Sequence, residues 1–182
     1  MNYKVLYRKY RPKTFDEIVG QNNIITLLKD SIINNKISHA YIFSGPRGTG
    51  KTSTAKIFAK AINCLDNTNG NPCLNCEICS NFNLNNDIYE IDAASNTGVD
   101  QIREIIDNVK LSPITSKYKV YIIDEVHMLS TSAFNALLLT LEEPPSHVVF
   151  ILATTNIEDV PITVLSRCQR LDFRKIANKD IH

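Results

Sequence analysis

One glycine-rich stretch limits the possible fold of this chain more than any other part of its sequence. Residues 45–52 read GPRGTGKT, which matches the phosphate-binding pattern G-x-x-x-x-G-K-T at every fixed position. The apolar segment 40–44 before it predicts a buried strand, and the segment 53–62 after it has the apolar spacing of a helix. Strand, glycine loop and helix in this order are the context that the motif requires. The stretch therefore predicts binding of a nucleoside triphosphate.

Each residue type in this loop has a physical reason to be there. Glycines let backbone N–H groups turn towards a phosphate, and the partial positive charge at the helix N-terminus attracts the same anion. We expect Lys51 to contact the β- and γ-phosphates and the Thr52 hydroxyl to bind Mg²⁺. A glycine-rich turn without a ligand is the alternative, which the complete motif and its flanks disfavour. The predicted nucleotide-binding residues here are Gly45, Pro46, Arg47, Gly48, Thr49, Gly50, Lys51, Thr52 and Ser53.

A second apolar strand pattern ends in two carboxylates, Asp124 and Glu125. Such a pair is weak evidence by itself, but about 70 residues after a phosphate loop it predicts the other half of an NTPase site. We expect Asp124 to hold Mg²⁺ together with Thr52, and Glu125 to polarise the attacking water. Thr154, Thr155 and Asn156 follow a further apolar segment, where they are placed to reach a γ-phosphate or its water. Ordinary turn residues are the alternative reading of these positions.

Four of the five cysteines are closely spaced, in the pattern C-x₈-C-x₂-C-x₂-C formed by Cys64, Cys73, Cys76 and Cys79. Four thiolates can complete a tetrahedral shell around Zn²⁺, and a complete shell leaves no open position, so we expect a structural zinc site. The turn-forming residues 70–72 suit such a knuckle. Free buried cysteines, or a redox pair at Cys76 and Cys79, remain the alternatives.

Composition is that of an ordinary globular domain, with 182 residues of which 43% are hydrophobic and 21% charged. The net charge is only +1, but residues 1–60 carry 11 Lys and Arg against 3 Asp and Glu. A phosphate loop explains this basic part without nucleic acid. We see no signal-peptide pattern and no apolar run long enough to cross a bilayer, so we expect a cytoplasmic protein that has no membrane partner and keeps its cysteines reduced.

Strand and helix patterns alternate along the chain, which predicts a three-layer α/β domain with a largely parallel sheet and its ligand at the carboxyl ends of the strands. The predicted strands are 40–44, 87–92, 119–125, 147–153 and 170–173. The predicted helices begin near Asn22 or Asn23, at Ser53, after a cap at 95–97, and at Thr131.

Together these segments resemble the N-terminal ATPase domain of the γ/τ subunits of bacterial DNA polymerase III, the motor of the clamp loader and a member of the AAA+ P-loop NTPases. The resemblance covers essentially the whole chain, and the combination is specific within AAA+ proteins. The motifs that carry it, besides the four cysteines, are YRKYRP at 7–12, GPRGTGKT at 45–52, IDAAS at 91–95, YIIDEVHML at 121–129, NALLLTLEEPP at 135–145, LATTN at 152–156 and LSRC at 165–168.

This resemblance implies an ATP-hydrolysing motor subunit that loads the sliding clamp onto primed DNA, with ATP, Mg²⁺ and Zn²⁺ as cofactors. It implies the sheet order 5-1-4-3-2. The implied partners are the other clamp-loader subunits, the sliding clamp and primer–template DNA, with a hetero-oligomeric full-length protein and a monomeric 182-residue piece. Arg11 and Val19 are similar to the family's adenine pocket, Thr155 to the sensor of the γ-phosphate, and Arg167 to the finger that completes a neighbouring subunit's ATP site in trans.

The implied domain boundaries are an AAA+ domain over 1–178, with a zinc-binding insertion at about 64–79, and the start of a lid at 179–182. Since the family's lid and collar would follow, we expect the chain to be a fragment. Residues 96–98 are Asn, Thr and Gly, where some relatives have basic side chains. Contacts to DNA phosphates at this segment would therefore have to come from backbone N–H groups.

Two other classes compete with this interpretation. A helicase is one, because residues 124–127 superficially match a D-E-x-H box, but a helicase needs a second motor domain. A non-catalytic or differently employed AAA+ scaffold subunit is the other. We expect such a subunit to have lost Lys51, Thr52 or Glu125, and this sequence retains all three.

Overall fold

Five parallel strands form one sheet at the centre of the chain. A computed structural model describes residues 10–95 and 99–176. The strands are β1 (Ala40–Ser44), β2 (Ile88–Asp92), β3 (Lys119–Asp124), β4 (Val148–Thr154) and β5 (Gln169–Asp172), in the order β2-β3-β4-β1-β5. Every strand pair in the sheet is parallel. Counted from the other edge, this order is 5-1-4-3-2, so the predicted topology is confirmed.

Helices connect the strands, as the alternating pattern predicts. The α-helices in the part of the chain that the structure describes are α1 (Asn22–Ile33), α2 (Lys51–Asn63), α3 (Glu77–Ser80), α4 (Val99–Val109), α5 (Thr131–Glu142) and α6 (Ile162–Leu165). Short 3₁₀ helices lie at Phe15–Glu17, Phe82–Leu84, Val126–Met128 and Ile157–Asp159. None of the helices described is long and apolar enough to span a membrane.

Three predicted features fall wholly or partly outside the described residues. They are the first part of the YRKYRP motif at 7–9, the segment 96–98 that was considered for DNA contact and for capping α4, and the start of the lid at 179–182.

Two helix starts differ from the sequence prediction. The helix expected from Ser53 begins at Lys51, because Gly50, at φ 92°, takes the N-cap position in the left-handed region that favours glycine. The cap of α1 is Gln21 rather than Asn22 or Asn23. The Gln21 side chain does not cap the helix, because it bonds the carbonyls of Thr49 and Arg174 instead.

Alternating side chains of the strands build a hydrophobic core on each face of the sheet. On one face, Tyr41 and Phe43 of β1 pack with α1 and α2. On the other face, Ile42 of the same strand packs with α4 and α5. These side chains are fully buried, so the sheet is covered on both sides, as parallel sheets require. The three-layer α/β architecture is confirmed.

The segment between α2 and β2 folds back against α1. Gly70 has φ 77°, and a Cβ at this position would lie 2.9 Å from the Lys29 Cα, so only glycine allows this close approach. The Asn71 side chain accepts a hydrogen bond of 3.0 Å from the Phe15 N–H and donates one of 2.9 Å to the Asp16 carboxylate. Because Phe15 is fully buried, these bonds tie the segment to the core.

Asp87 is a buried carboxylate in the turn just before β2, and it holds the loop before β3. It accepts hydrogen bonds from the backbone N–H groups of Ile114 and Thr115, both at 2.8 Å, and of Ser116 at 2.9 Å. Burial acts to raise the pKa of Asp87, but these donors outweigh burial and the pKa is lowered. The native state therefore favours the charged carboxylate.

We predict that Asp87→Asn lowers the free energy of unfolding by about 1.5–3 kcal/mol at pH 7, because an amide replaces an ionised acceptor and turns an NH₂ group towards backbone donors. A carboxylate whose folded-state pKa is lowered stabilises the fold above its unfolded pKa and loses that contribution as pH falls through the folded pKa. The difference between wild type and variant, measured by urea unfolding, should be constant above pH 5 and shrink below about pH 4. Asp107→Asn, at a side chain that is 79% exposed, is the control. A pH-independent difference would contradict the role of the charge.

Candidate nucleotide-binding site and cysteine cluster

The loop between β1 and α2 has the backbone conformation of a phosphate cradle. Gly48 and Gly50 have φ of 80° and 92°, values that side chains other than glycine rarely adopt. Gly45 has φ 142°, and a Cβ there would lie only 2.3 Å from the Phe173 carbonyl oxygen. The first turn of α2 leaves backbone N–H groups without partners inside the helix. Those groups and the helix dipole together form an anion-binding site.

Lys51 lies folded onto this loop. Its ammonium donates to the carbonyl oxygens of Gly45 at 2.7 Å and Pro46 at 2.9 Å. Burial lowers the pKa of Lys51, whereas the carboxylates of Glu125 and Asp124 act to raise it. A phosphate in the cradle would give this buried charge a partner of opposite sign, which two neutral carbonyls do not supply.

The ends of β3 and the loop meet at Thr52 and Asp124. The Thr52 hydroxyl donates to the Asp124 carboxylate at 2.5 Å. The other oxygen of that carboxylate accepts from the Glu125 N–H at 3.0 Å. Hydroxyl and carboxylate oxygens are ligands that suit Mg²⁺, which is commonly bound by one or two protein oxygens together with phosphates and water. The donor set therefore fits the magnesium site that the sequence predicts.

Glu125 is held by residues from the end of β4. It has φ 48°, a left-handed conformation uncommon outside glycine. Its carboxylate accepts a hydrogen bond of 2.9 Å from the Thr155 hydroxyl. His127 Nδ1 lies 3.5 Å from the same carboxylate oxygen and 3.0 Å from the Thr154 hydroxyl, which is buried. No role was predicted for His127 from the sequence, although its place in the D-E-x-H pattern, two residues after Glu125, indicates that the two side chains are close.

A cleft of about 440 Å³ brings most of the predicted site together. Its lining includes the following predicted residues: Arg11, Arg47, Gly48, Gly50, Lys51, Thr52, Ser53, Asp124 and Glu125. Arg11 reaches the start of α2, where its Nε donates to the Ser53 hydroxyl at 3.2 Å. Residues 10–12 of the N-terminal arm thus line one side of the cleft.

Two predicted residues lie elsewhere. Val19 is 47% exposed and is not part of the cleft lining. Arg167 follows α6, where its guanidinium donates to the Glu142 carboxylate and to the Thr163 carbonyl, both at 2.6 Å. Arg167 does not line the cleft of its own chain either. The assignments of Val19 to adenine and of Arg167 to a neighbour's nucleotide stay predictions.

Gln21 is a supporting residue that the sequence analysis missed. Its side-chain amide donates to the carbonyls of Arg174 at 2.7 Å and Thr49 at 3.4 Å, and its oxygen accepts from the Arg174 N–H at 3.2 Å. Gln21 is buried and links the phosphate loop to the chain after β5. These contacts join residues far apart in sequence, so no local pattern indicates them.

The four predicted metal ligands converge on one point. The sulfur atoms of Cys64, Cys73, Cys76 and Cys79 all lie within 4.8 Å of one another. The Cys64–Cys76 and Cys73–Cys79 pairs are 3.9 and 4.0 Å apart. A zinc–sulfur bond of about 2.3 Å places the sulfurs of a tetrahedral site about 3.8 Å apart, so the cluster fits Zn²⁺. The N–H groups of Cys73 and Cys76 point at the Cys64 and Cys73 sulfurs, both at 3.2 Å.

The electrostatics of the cluster favour thiolate at one cysteine. Burial acts to raise the pKa of Cys76, but the backbone N–H groups of Leu65 and Cys79 outweigh burial and lower that pKa to about 6. Burial raises the pKa of Cys64 and of Cys79. Without a metal, Cys76 therefore favours the thiolate, whereas Cys64 and Cys79 favour the neutral thiol. A cation among the four sulfurs would favour deprotonation of every thiol.

The strand order and the phosphate loop together define the fold of a P-loop NTPase domain. Solved structures of the same fold include the Holliday junction branch migration motor RuvB of Thermotoga maritima, at a TM-score of 0.66 and 23% identity over 94% of this chain and 51% of that one. A DNA polymerase III, gamma subunit-related protein of the same organism matches at a TM-score of 0.63 and 20% identity, over 88% of this chain and 47% of that one. These likenesses concern the fold.

Sequence comparison shows the family. A family model described as DNA polymerase III, delta subunit, matches residues 20–177. DNA polymerase III subunit tau of Bacillus subtilis is 56% identical over 100% of this chain, and that of Escherichia coli 48% identical over 97%. The gamma/tau subunit of Mycoplasma pneumoniae is 52% identical over 96%. The chain therefore belongs to this family of DNA polymerase III subunits, and the predicted resemblance to γ/τ subunits is confirmed. It spans 32%, 28% and 26% of the length of these three relatives.

We predict that the purified chain carries one zinc ion, measured by elemental analysis. Cys76→Ala should release the metal, whereas Cys168→Ala, at the cysteine outside the cluster, should keep it. Structural zinc contributes about 10–16 kcal/mol in small finger peptides. Because the sheet has its own core, chelation should expose amides of residues 64–79 to hydrogen exchange and leave those of β1, β3 and β4 protected. Protein prepared without chelators but lacking stoichiometric zinc would contradict the assignment.

Proposed function

We propose that this chain is an ATP-binding and ATP-hydrolysing motor domain of the bacterial DNA polymerase III clamp loader, which loads the sliding clamp onto primed DNA. The observation that carries the proposal is the meeting of Lys51, Thr52, Asp124 and Glu125 at one cleft, at the carboxyl ends of neighbouring strands. Thr155, at the end of the next strand, is hydrogen-bonded to Glu125. The names of the γ/τ relatives support a role in DNA polymerase III. A scaffold subunit without catalytic activity is the alternative, and the intact set of polar groups disfavours it.

Nucleotide binding would use the loop and its lysine. In this proposal the ammonium of Lys51 leaves the carbonyls of Gly45 and Pro46 for the β- and γ-phosphates, and backbone N–H groups at the start of α2 bind the same oxygens. Thr52 and Asp124 would hold Mg²⁺, which neutralises phosphate charge when it is bound. Arg11 would orient the adenosine part from the arm.

Hydrolysis would depend on Glu125. Its carboxylate would accept a proton from the attacking water, and the hydrogen bond from Thr155 supports this role because it orients that carboxylate. The same bond gives Thr155 a way to report on the γ-phosphate, since a shift of its hydroxyl towards a phosphate oxygen would release Glu125. We assign the sensor role to Thr155 on this basis.

Arg167 would act on the nucleotide of a neighbouring subunit. It lies outside the cleft of its own chain, and its two short bonds to Glu142 and Thr163 hold the guanidinium at the end of α6. A guanidinium has five N–H donors, so donors remain for a phosphate. Assembly with other clamp-loader subunits is therefore part of the proposal, as are the sliding clamp and primer–template DNA as partners, the cytoplasm as the location and a structural zinc in the insertion.

Lys51→Ala should abolish binding of a labelled ATP analogue, because it removes the charge that faces the phosphates. Glu125→Gln should bind the analogue as wild type does and lower the hydrolysis rate of the assembled complex by about 10²–10⁴-fold, the usual contribution of a general base. Glu158→Gln, at an exposed carboxylate outside the cleft, is the matched control and should hydrolyse ATP normally. Unimpaired binding by Lys51→Ala would overturn the site assignment.

Arg167→Ala should leave nucleotide binding unchanged and lower clamp-dependent hydrolysis in the assembly, on the order of 10³-fold if it matches other arginine fingers. Arg103→Ala, at an exposed arginine of α4, is the control. The trans role has a sharper test in mixed assemblies of Arg167→Ala and Lys51→Ala subunits. Each variant alone is expected to be inactive, but in the mixture an intact Arg167 can serve an intact Lys51 next to it, so part of the activity should return. A mixture that stays inactive would show that both residues act on the same nucleotide.

A further inference from the structure

A second cleft lies on the other side of the N-terminal arm and is not used by the proposed mechanism. Its volume is about 430 Å³, and its lining includes four cationic side chains and one aromatic ring, those of Arg11, Lys13, Lys56, Lys60 and Phe82. Lys56 and Lys60 are four residues apart on α2, so they share one face of that helix. Lys13 approaches from the arm.

Positive charge exceeds negative charge in this cleft. Lys56 forms an ion pair with Glu90 at 2.5 Å, and the Glu17 carboxylate accepts from the backbone N–H of Lys13 at 2.9 Å. Over residues 10–95 and 99–176, no carboxylate forms an ion pair with the ammonium of Lys13 or of Lys60. Four cations therefore face two nearby carboxylates, only one of which is paired with a lysine.

The surroundings of Lys60 disfavour its charged form. Its ammonium lies 4.9 Å above the centre of the Phe82 ring, which makes it part of the cleft wall rather than a fully solvated group. Burial lowers the pKa of Lys60; the Cys79 sulfur, when it is deprotonated, acts to raise that pKa, and the nearby Lys13 acts to lower it. An anion between Lys13 and Lys60 would offset the unfavourable free energy of burying the Lys60 charge and would reduce the repulsion between the two lysines.

We propose that this basic cleft binds a phosphate group. A phosphate carries a charge of about −1.5 to −2 and presents several acceptor oxygens, which matches the excess of cations better than a single carboxylate does. The Lys60 ammonium lies over one face of the Phe82 ring, and the ring also packs against the core, so we expect recognition of the phosphate rather than of a nucleobase. The group can come from free phosphate or from the backbone of a nucleic acid.

The basic cleft is separate from the nucleotide cleft but adjoins it. Arg11 and Pro12 line both, so the arm is the shared wall. Lys51 and Thr52 belong to the nucleotide cleft only, and Lys56 and Lys60 to the basic cleft only. Nucleotide in the phosphate loop should therefore leave the basic cleft open. The proposal does not depend on ATP hydrolysis.

The test is calorimetric titration of the zinc-loaded chain with its phosphate loop saturated by a non-hydrolysable ATP analogue and Mg²⁺. The probes are inorganic phosphate, an oligothymidylate of five nucleotides and a peptide of five glutamates. We expect saturable binding of at least one phosphate-bearing probe, weakened about fivefold by Lys60→Gln and again by the added Lys13→Gln. Rising salt should weaken it too. Binding of inorganic phosphate identifies free phosphate as the source, whereas binding of the oligonucleotide alone identifies a nucleic-acid backbone.

Lys110→Gln is the matched control, because it removes one lysine charge from a site on α4 that is 73% exposed and outside the cleft. It should bind the probes as wild type does. Zinc content and circular dichroism confirm that each variant is folded. The proposal is wrong if neither phosphate-bearing probe binds, if binding survives the Lys13 and Lys60 changes or falls equally in Lys110→Gln, or if only the glutamate peptide binds.

Discussion

The turn that leaves β1 and enters α2 is the constraint on which the rest of the structure depends. Gly45 lies against the Phe173 carbonyl at the end of β5 and donates its N–H to the Thr154 carbonyl of β4 at 3.2 Å. The loop is thus held from both sides by the strands that flank β1. Because all five strands are parallel, their carboxyl ends lie at the same edge of the sheet. The polar residues at the ends of β3 and β4 therefore lie beside the loop.

Local patterns were enough to predict most of the fold and the polar residues that meet at the cleft. The glycine loop, the apolar segments and the Asp124-Glu125 pair can each be recognised from a few consecutive residues. The four cysteines can be recognised in the same way, because their short spacings bring the sulfur atoms together without contacts from distant segments. The strand order could not be predicted from local patterns. Neither periodicity nor spacing determines which strand neighbours which, and the correct order came only from the resemblance to a family.

What the sequence did not reveal are contacts between distant segments. Gln21 reads as an ordinary polar residue before a helix, and only the folded chain brings it to the phosphate loop and to Arg174. Asp87 reads as the first residue of a strand, but it anchors a loop 27–29 residues later. The basic cleft has the same origin, because it joins Lys13 of the arm to Lys60 of α2 and Phe82 of the insertion. Tertiary packing decides all three.

In the proposed mechanism, Lys51 exchanges two neutral carbonyl partners for the phosphates of ATP, and Thr52 and Asp124 share a magnesium ion. A crystal structure of the chain with a non-hydrolysable ATP analogue and Mg²⁺ would test this exchange. We expect the Lys51 ammonium to have left Gly45 and Pro46 and to lie on the β- and γ-phosphates, with Mg²⁺ beside Thr52 and Glu125 facing a water near the γ-phosphate. A nucleotide bound elsewhere, with Lys51 still on the two carbonyls, would contradict it.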